Sequence, residues 1–178
     1  KSVTSIGASA FESATSLTQV TFAPDISFGR IPGRMFFGAT DLSSITIPNT
    51  VTSIGARAFQ GATSLTTVTF EAGSNLETIG HGAFQGATNL SSITIPPLVT
   101  SIVNSAFEEA GLTSIIIPAG VTSIRDRAFW SATSLTSVTF EADSSLNSIG
   151  YGAFNNTRFT SFTIPATVTS IGREAFQS

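Results

Sequence analysis

The sequence predicts a solenoid, α/β or mostly β, in which short coils of chain stack on one another and share one core. Three observations predict it. An Ala-Phe step, Met-Phe in one copy, places aromatics at Phe11, Phe36, Phe59, Phe84, Phe107, Phe129, Phe154 and Phe176, so that the step recurs every two dozen residues or so. A six-residue segment, apolar at its first, fourth and sixth positions, precedes every step after the first. A shorter extended piece, typically Val-Thr-Ser-Ile, leads directly into the step. Self-similarity at a period of about 20–29 residues marks stacked repeats, none of which can bury its apolar face alone.

The six-residue segments are Leu17 to Phe22, Leu42 to Ile47, Leu65 to Phe70, Leu90 to Ile95, Leu112 to Ile117, Leu135 to Phe140 and Phe159 to Ile164. In the third, Leu65, Val68 and Phe70 are apolar and Thr67 and Thr69 lie between them. Such alternation, rich in β-branched residues, predicts a strand with one buried and one exposed face. The second pieces run Val3 to Ile6, Phe28 to Ile31, Val51 to Ile54, Leu76 to Ile79, Val99 to Ile102, Val121 to Ile124, Leu146 to Ile149 and Val168 to Ile171, with first and fourth positions inward. The corners, such as Gly55 to Thr63, have room for only a turn or two of helix. Short helical turns are therefore expected there, with alanine allowing neighbouring coils to approach and the phenylalanines forming an aromatic spine.

Two flavours of coil alternate. One ends in Val-Thr-Phe and an acidic link, as at Phe70-Glu71-Ala72-Gly73 and Phe140-Glu141-Ala142-Asp143; the other ends in Ile-Pro, at Pro48, Pro96, Pro118 and Pro165. A proline at a strand end stops the ladder because it has no N–H to donate. The alternation slips at Leu112 to Ile117, where two proline-type coils adjoin.

The columns Leu65, Val68, Phe70, Leu76, Ile79, Ala83 and Phe84, with their counterparts along essentially the whole chain, resemble the BspA-like leucine-rich repeat proteins. That resemblance implies a right-handed, curved leucine-rich repeat solenoid of about 7–8 coils, with a parallel sheet on its concave face. It further implies a secreted or cell-surface setting and adhesion to a protein or glycan partner. It carries over no catalytic residue and no cofactor. The chain departs from the commoner leucine-rich pattern in having proline or an acid, not Asn or Cys, after the strand, so an asparagine ladder is not expected.

Composition narrows the function classes. Charged residues make up 11% of the chain, against about 25% in an ordinary domain. The net charge is -3 and no basic stripe is present, which argues against nucleic acid as a partner. Without cysteine there is no thiol chemistry or disulfide, and no stretch is long and apolar enough to insert in a membrane. Residues 1–178 read as one domain. With no polar capping repeat at either end, the expectation is a fragment of a longer array, or a unit that self-associates end to end.

No candidate chemistry clusters. His81 is the only histidine, so no zinc site is expected, and Glu71 and Glu141 lie three coils apart, beyond the reach of a glycosidase carboxylate pair. Glu108, Glu109 and Asp126 read as ordinary surface charges. The hydroxyl columns Thr67, Ser92, Ser114, Ser137 and Thr69, Thr94, Ile116, Thr139 are expected to line the sheet as an uncharged contact face. Ice binding through the threonines is a remote alternative, because Ile116 interrupts the column. Phe37 and Trp130, one place after the corner phenylalanine, are candidate anchors. His81 and Tyr151, in another variable column, are weaker contact candidates. Asn89 and Asn155 open glycosylation tripeptides.

Overall fold

The computed structural model describes residues 3–23 and 26–178, and these form a parallel-strand solenoid of about seven turns with the leucine-rich repeat fold. The sheet of longer strands comes in two separate parts. In the first, β1 (Gln19–Val20), β3 (Ser44–Ile47) and β5 (Thr67–Phe70) pair in that order; in the second, β8 (Ser114–Ile117) pairs with β10 (Ser137–Phe140). A second sheet of two-residue strands follows the same path. One part of it joins β2 (Arg30–Ile31), β4 (Ser53–Ile54) and β6 (Thr78–Ile79), and a separate part joins β7 (Ser101–Ile102), β9 (Ser123–Ile124), β11 (Ser148–Ile149) and β12 (Ser170–Ile171).

The expected core is observed. Leu42, Leu65, Leu90, Leu112 and Leu135 are fully buried, as are the isoleucines of the second sheet from Ile31 to Ile149, apart from a 1% trace at some positions. The corner rings stack from Phe11 through Phe36, Phe59, Phe84, Phe107, Phe129 and Phe154 to Phe176, with centroids 5.1–5.5 Å apart and ring planes within 14° of parallel. Rings displaced along a stack in this way attract beyond their burial, by about 0.5–1.5 kcal/mol per pair.

The helical turns expected at the corners are absent among the described residues, and the reason lies in the hydrogen bonds. In the third coil every second N–H leaves the coil: Arg57, Phe59 and Gly61 donate to the carbonyls of His81, Ala83 and Gln85, each at 2.8 Å. Between them Ala58, Gln60 and Ala62 donate three residues back, to Gly55, Arg57 and Phe59. A helix would keep all these donors to itself. Two left-handed residues per corner prevent that, one two places before the phenylalanine (Arg57, φ 58°) and one two places after it (Gly61, φ 72°). The same two places hold Arg34 and Gly38, Gly82 and Gly86, Ser105 and Glu109, Arg127 and Ser131, and Gly152 and Asn156. Each corner is thus a run of turns docked on the next coil.

The proline and acid flavours have a structural role. Full four-residue pairing joins β3 to β5 and β8 to β10, and in both cases an acid coil follows a proline coil. The acidic residue closes the strand twice over. Glu71 N–H donates to Ile47 C=O (3.1 Å) while its Oε2 accepts from Asn49 N–H (3.0 Å); Glu141 does the same with Ile117 (3.1 Å) and Ala119 (3.0 Å). Where a proline coil follows instead, that N–H does not exist. Pairing then shrinks to two residues, as between β1 and β3, or is missing, as between β5 and residues 92–95.

The second sheet breaks once, between β6 and β7. Gly55, Gly80, Gly150 and Gly172 occupy one column, and a Cβ at any of them would lie 2.4–2.7 Å from the nearest atom of the coil before. Val103 fills that column just after β7, and Arg125 fills it just after β9, where pairing with β7 persists, so a side chain in this column does not by itself part the strands. The corner bonds are unaffected there: Gly82 to Asn104 (3.1 Å), Phe84 to Ala106 (2.9 Å) and Gly86 to Glu108 (2.8 Å).

Candidate functional site

Strand alternation sorts the threonines into two classes. Those at the second place of each extended piece hold coils together: Thr66 Oγ1 donates to Ser43 C=O (3.0 Å), Thr136 to Thr113 (3.2 Å), Thr52 to Gly29 (3.0 Å) and Thr122 to Thr100 (3.1 Å). This ladder of hydroxyls takes the place of an asparagine ladder, and sequence reasoning missed it, although the repeated Leu-Thr and Val-Thr pairs were its signal. The contact-face candidates are the other class. Thr67, Thr69, Ser114, Ile116, Ser137 and Thr139 are exposed on the outer side of the longer strands, and Ser92 and Thr94, in the unpaired residues 92–95 between β5 and β8, are exposed as well. Thr67 and Ser44, Ser137 and Ser114, and Thr139 and Ile116 lie in direct register. Ile116, 58% exposed, is the most exposed large apolar side chain of the described residues.

The aromatic candidates are held by charges. Phe37 and Trp130 are half-buried, each beneath the guanidinium of the left-handed arginine of its own coil: Arg34 lies 4.1 Å from the Phe37 ring and Arg127 4.6 Å from Trp130. Each arginine also pairs with a glutamate of the preceding coil, Arg34 with Glu12 and Arg127 with Glu108 at 3.1 Å. This is one device used twice, glutamate to arginine to aromatic ring. It corrects the reading of Glu108 as a surface charge, since Glu108 is 5% exposed and sits under Arg127. The hydrogen bond from Arg34, with one from Ser9, holds the Glu12 carboxyl well below its usual 4.5, at about 2.

His81 is exposed, and its backbone carbonyl serves the corner ladder. Tyr151 is 41% exposed, with its ring 6.1 Å from Trp130. Its hydroxyl donates to Glu174 Oε2 (2.9 Å), which holds that hydroxyl above the ordinary tyrosine range, and its N–H donates to Asp126 Oδ1 (2.9 Å). Asn89 is exposed, whereas Asn155 is buried, with its amide 3.5 Å from Glu174 C=O. Of the two glycosylation tripeptides only the first presents its asparagine to solvent. Among the described residues no three His, Asp or Glu side chains gather where they could hold a metal ion, and no helix is long and apolar enough to cross a membrane.

The architecture has counterparts. A leucine-rich cell surface protein of Faecalibacterium prausnitzii is 38% identical and superposes with a TM-score of 0.77, over 90% of this chain and 43% of its own. The pneumococcal vaccine antigen PcpA is 26% identical, with a TM-score of 0.55 over 90% of this chain and 36% of its own. A leucine-rich repeat protein of Bacteroides ovatus, 24% identical with a TM-score of 0.59 over 83% of this chain and 49% of its own, shares the fold. The chain thus spans less than half the length of each. No match was found among the curated proteins. The model of the BspA type leucine rich repeat region matches residues 1–73 and 69–178 in six copies, and the chain belongs to that family.

Proposed function

We propose that the chain is a non-enzymatic recognition scaffold of a cell surface, which adheres to a protein or glycan partner along the outer face of its longer strands. The supporting observation is the face itself. Its two columns run over successive coils with no ionic side chain, and their hydroxyls are interrupted by a single exposed apolar side chain, Ile116. A rigid, uncharged surface of this kind binds through contacts spread over several coils, and an apolar residue near its middle is the natural anchor. The family and the cell-surface relative from Faecalibacterium prausnitzii favour the setting.

Immobilising the chain and challenging it with cell-surface and matrix extracts tests the reading, with Ile116→Asp as the paired variant. A partner retained by the unmodified chain and lost from the variant is the expected result. Equal retention by both would move the site off this face, and no retention by either would remove the reading. Self-association of the solenoid into a fibre or extracellular layer is the competing reading. Sedimentation at rising concentration separates the two, because only self-association makes the mass grow without a partner.

A further inference from the structure

The column three places before the corner phenylalanine changes character along the chain. In the first four coils it reads Ala8, Gly33, Ala56 and His81; in the last four it reads Asn104, Asp126, Tyr151 and Arg173. The backbone is the same in both halves, so the core does not account for the change. Three of the polar four, Asn104, Asp126 and Tyr151, line a groove of about 600 Å³ beside the second sheet, together with Arg125, Ser148 and Ser170.

We infer that this groove is a binding site for a neutral oligosaccharide. The groups facing it match that chemistry. A sugar hydroxyl both donates and accepts; the Asn104 amide offers a donor and an acceptor in one group, while Asp126 offers acceptors only and Arg125 donors only, so that together they satisfy both demands. Among the described residues the side chains of Asn104, Arg125, Ser148 and Ser170 are committed to no other hydrogen bond or ion pair, while Asp126 spends one oxygen on the Tyr151 N–H. Tyr151 supplies an exposed ring against which the C–H face of a sugar can stack, and its tether to Glu174 fixes that ring before any ligand arrives. Two features disfavour other ligands. Ile124 and Ile149 are sealed beneath the serines at 1% exposure each, leaving no apolar slot for a protein side chain. The charged groups around Tyr151 come in both signs, Arg125 next to Asp126 in the chain, Arg173 paired with Glu174 (3.5 Å) and Arg127 with Glu108 (3.1 Å), so neither an acidic nor a basic ligand gains.

The inference rests on the scaffold reading above but uses a different face, so the two fail separately. Trp130 is the only tryptophan and lies next to Tyr151, which gives the groove its own fluorescent reporter. The experiment titrates the chain with malto-, cello-, chito- and galacto-oligosaccharides of six units, following tryptophan emission and heat. Saturable binding of at least one, weakened about tenfold or more by Tyr151→Ala and by Asn104→Ala, is the expected result. Tyr151→Phe, which keeps the ring, should retain most of the affinity. Raising the salt should leave binding of a neutral sugar unchanged. The inference is overturned if no sugar in the panel saturates, if binding survives both alanine variants, or if only charged saccharides added as controls bind and salt abolishes it. Loss of sugar binding in Ile116→Asp with none in Tyr151→Ala would also overturn it, by assigning the sugar to the face of the longer strands.

Discussion

The corner and the longer-strand sheet are built from the same coils, yet one runs unbroken and the other does not. Phe84 stacks on Phe107 at 5.5 Å and the corner N–H groups still reach the next coil, while residues 92–95 pair with neither β5 nor β8. The difference teaches where the solenoid holds its cooperativity. A corner coil spends every second N–H on its neighbour and needs only left-handed backbone to do so, which any coil can supply. A strand needs a donor at its end, and the proline coils lack it. The longer strands therefore join in two separate groups, β1 with β3 and β5, and β8 with β10, and the corner binds the groups into one body.

The largest test strikes the corner. Phe107→Ala removes a fully buried ring from the middle of the spine. It should cost about 3–5 kcal/mol, read as a fall in the denaturant midpoint. Ile93→Ala, in the unpaired residues 92–95, should cost clearly less; equal losses would mean that this side of the coil matters as much as the corner. Hydrogen exchange sharpens the same contrast. The slowest amide within residues 92–95 should exchange about 100-fold faster than the slowest in β3 or β5, because no backbone acceptor protects it. Uniform protection across these segments would count against a break in the sheet at residues 92–95.

A smaller effect probes the left-handed places. Glu109, at φ 58°, is exposed, and Gly61 holds φ 72°. Glu109→Gly should therefore stabilise the chain by about 1 kcal/mol, whereas Gly61→Ala should cost a similar amount. The smallest concerns the ion pair at the start of the spine. Because the folded pKa of Glu12 is lowered, its contribution is fully present above pH 4.5 and is lost as pH falls through about 2. A carboxyl resonance titrating near 2 in the intact chain, and near the ordinary value in Arg34→Ala, is the expected outcome.

The corner phenylalanines were legible because their spacing allows only one partner, the same residue one coil on. The strand registers were legible for the same reason, as Thr67 opposite Ser44 illustrates. Left-handed residues two places from each phenylalanine were signalled by Gly38, Gly61 and Gly86, but Arg57 and Ser131 at the equivalent places hide the pattern, so that segment length alone points to helical turns. Phe37 and Trp130 looked like free anchors because their covers, Arg34 and Arg127, owe their positions to a backbone φ that residue type does not disclose. The polar groove of the second half was visible only as an irregular column, since nothing in the order of residues says that Asn104 and Tyr151 face the same space.

Repetition alone determined the solenoid, its core columns and its aromatic spine, because a pattern that recurs every two dozen residues or so can bury its apolar side only against copies of itself. Tertiary structure decided which coils bond to which, where the sheets part, and which exposed side chains meet over one groove. Those outcomes depend on whether a particular N–H exists and how close two backbones come, and such quantities arise only between coils.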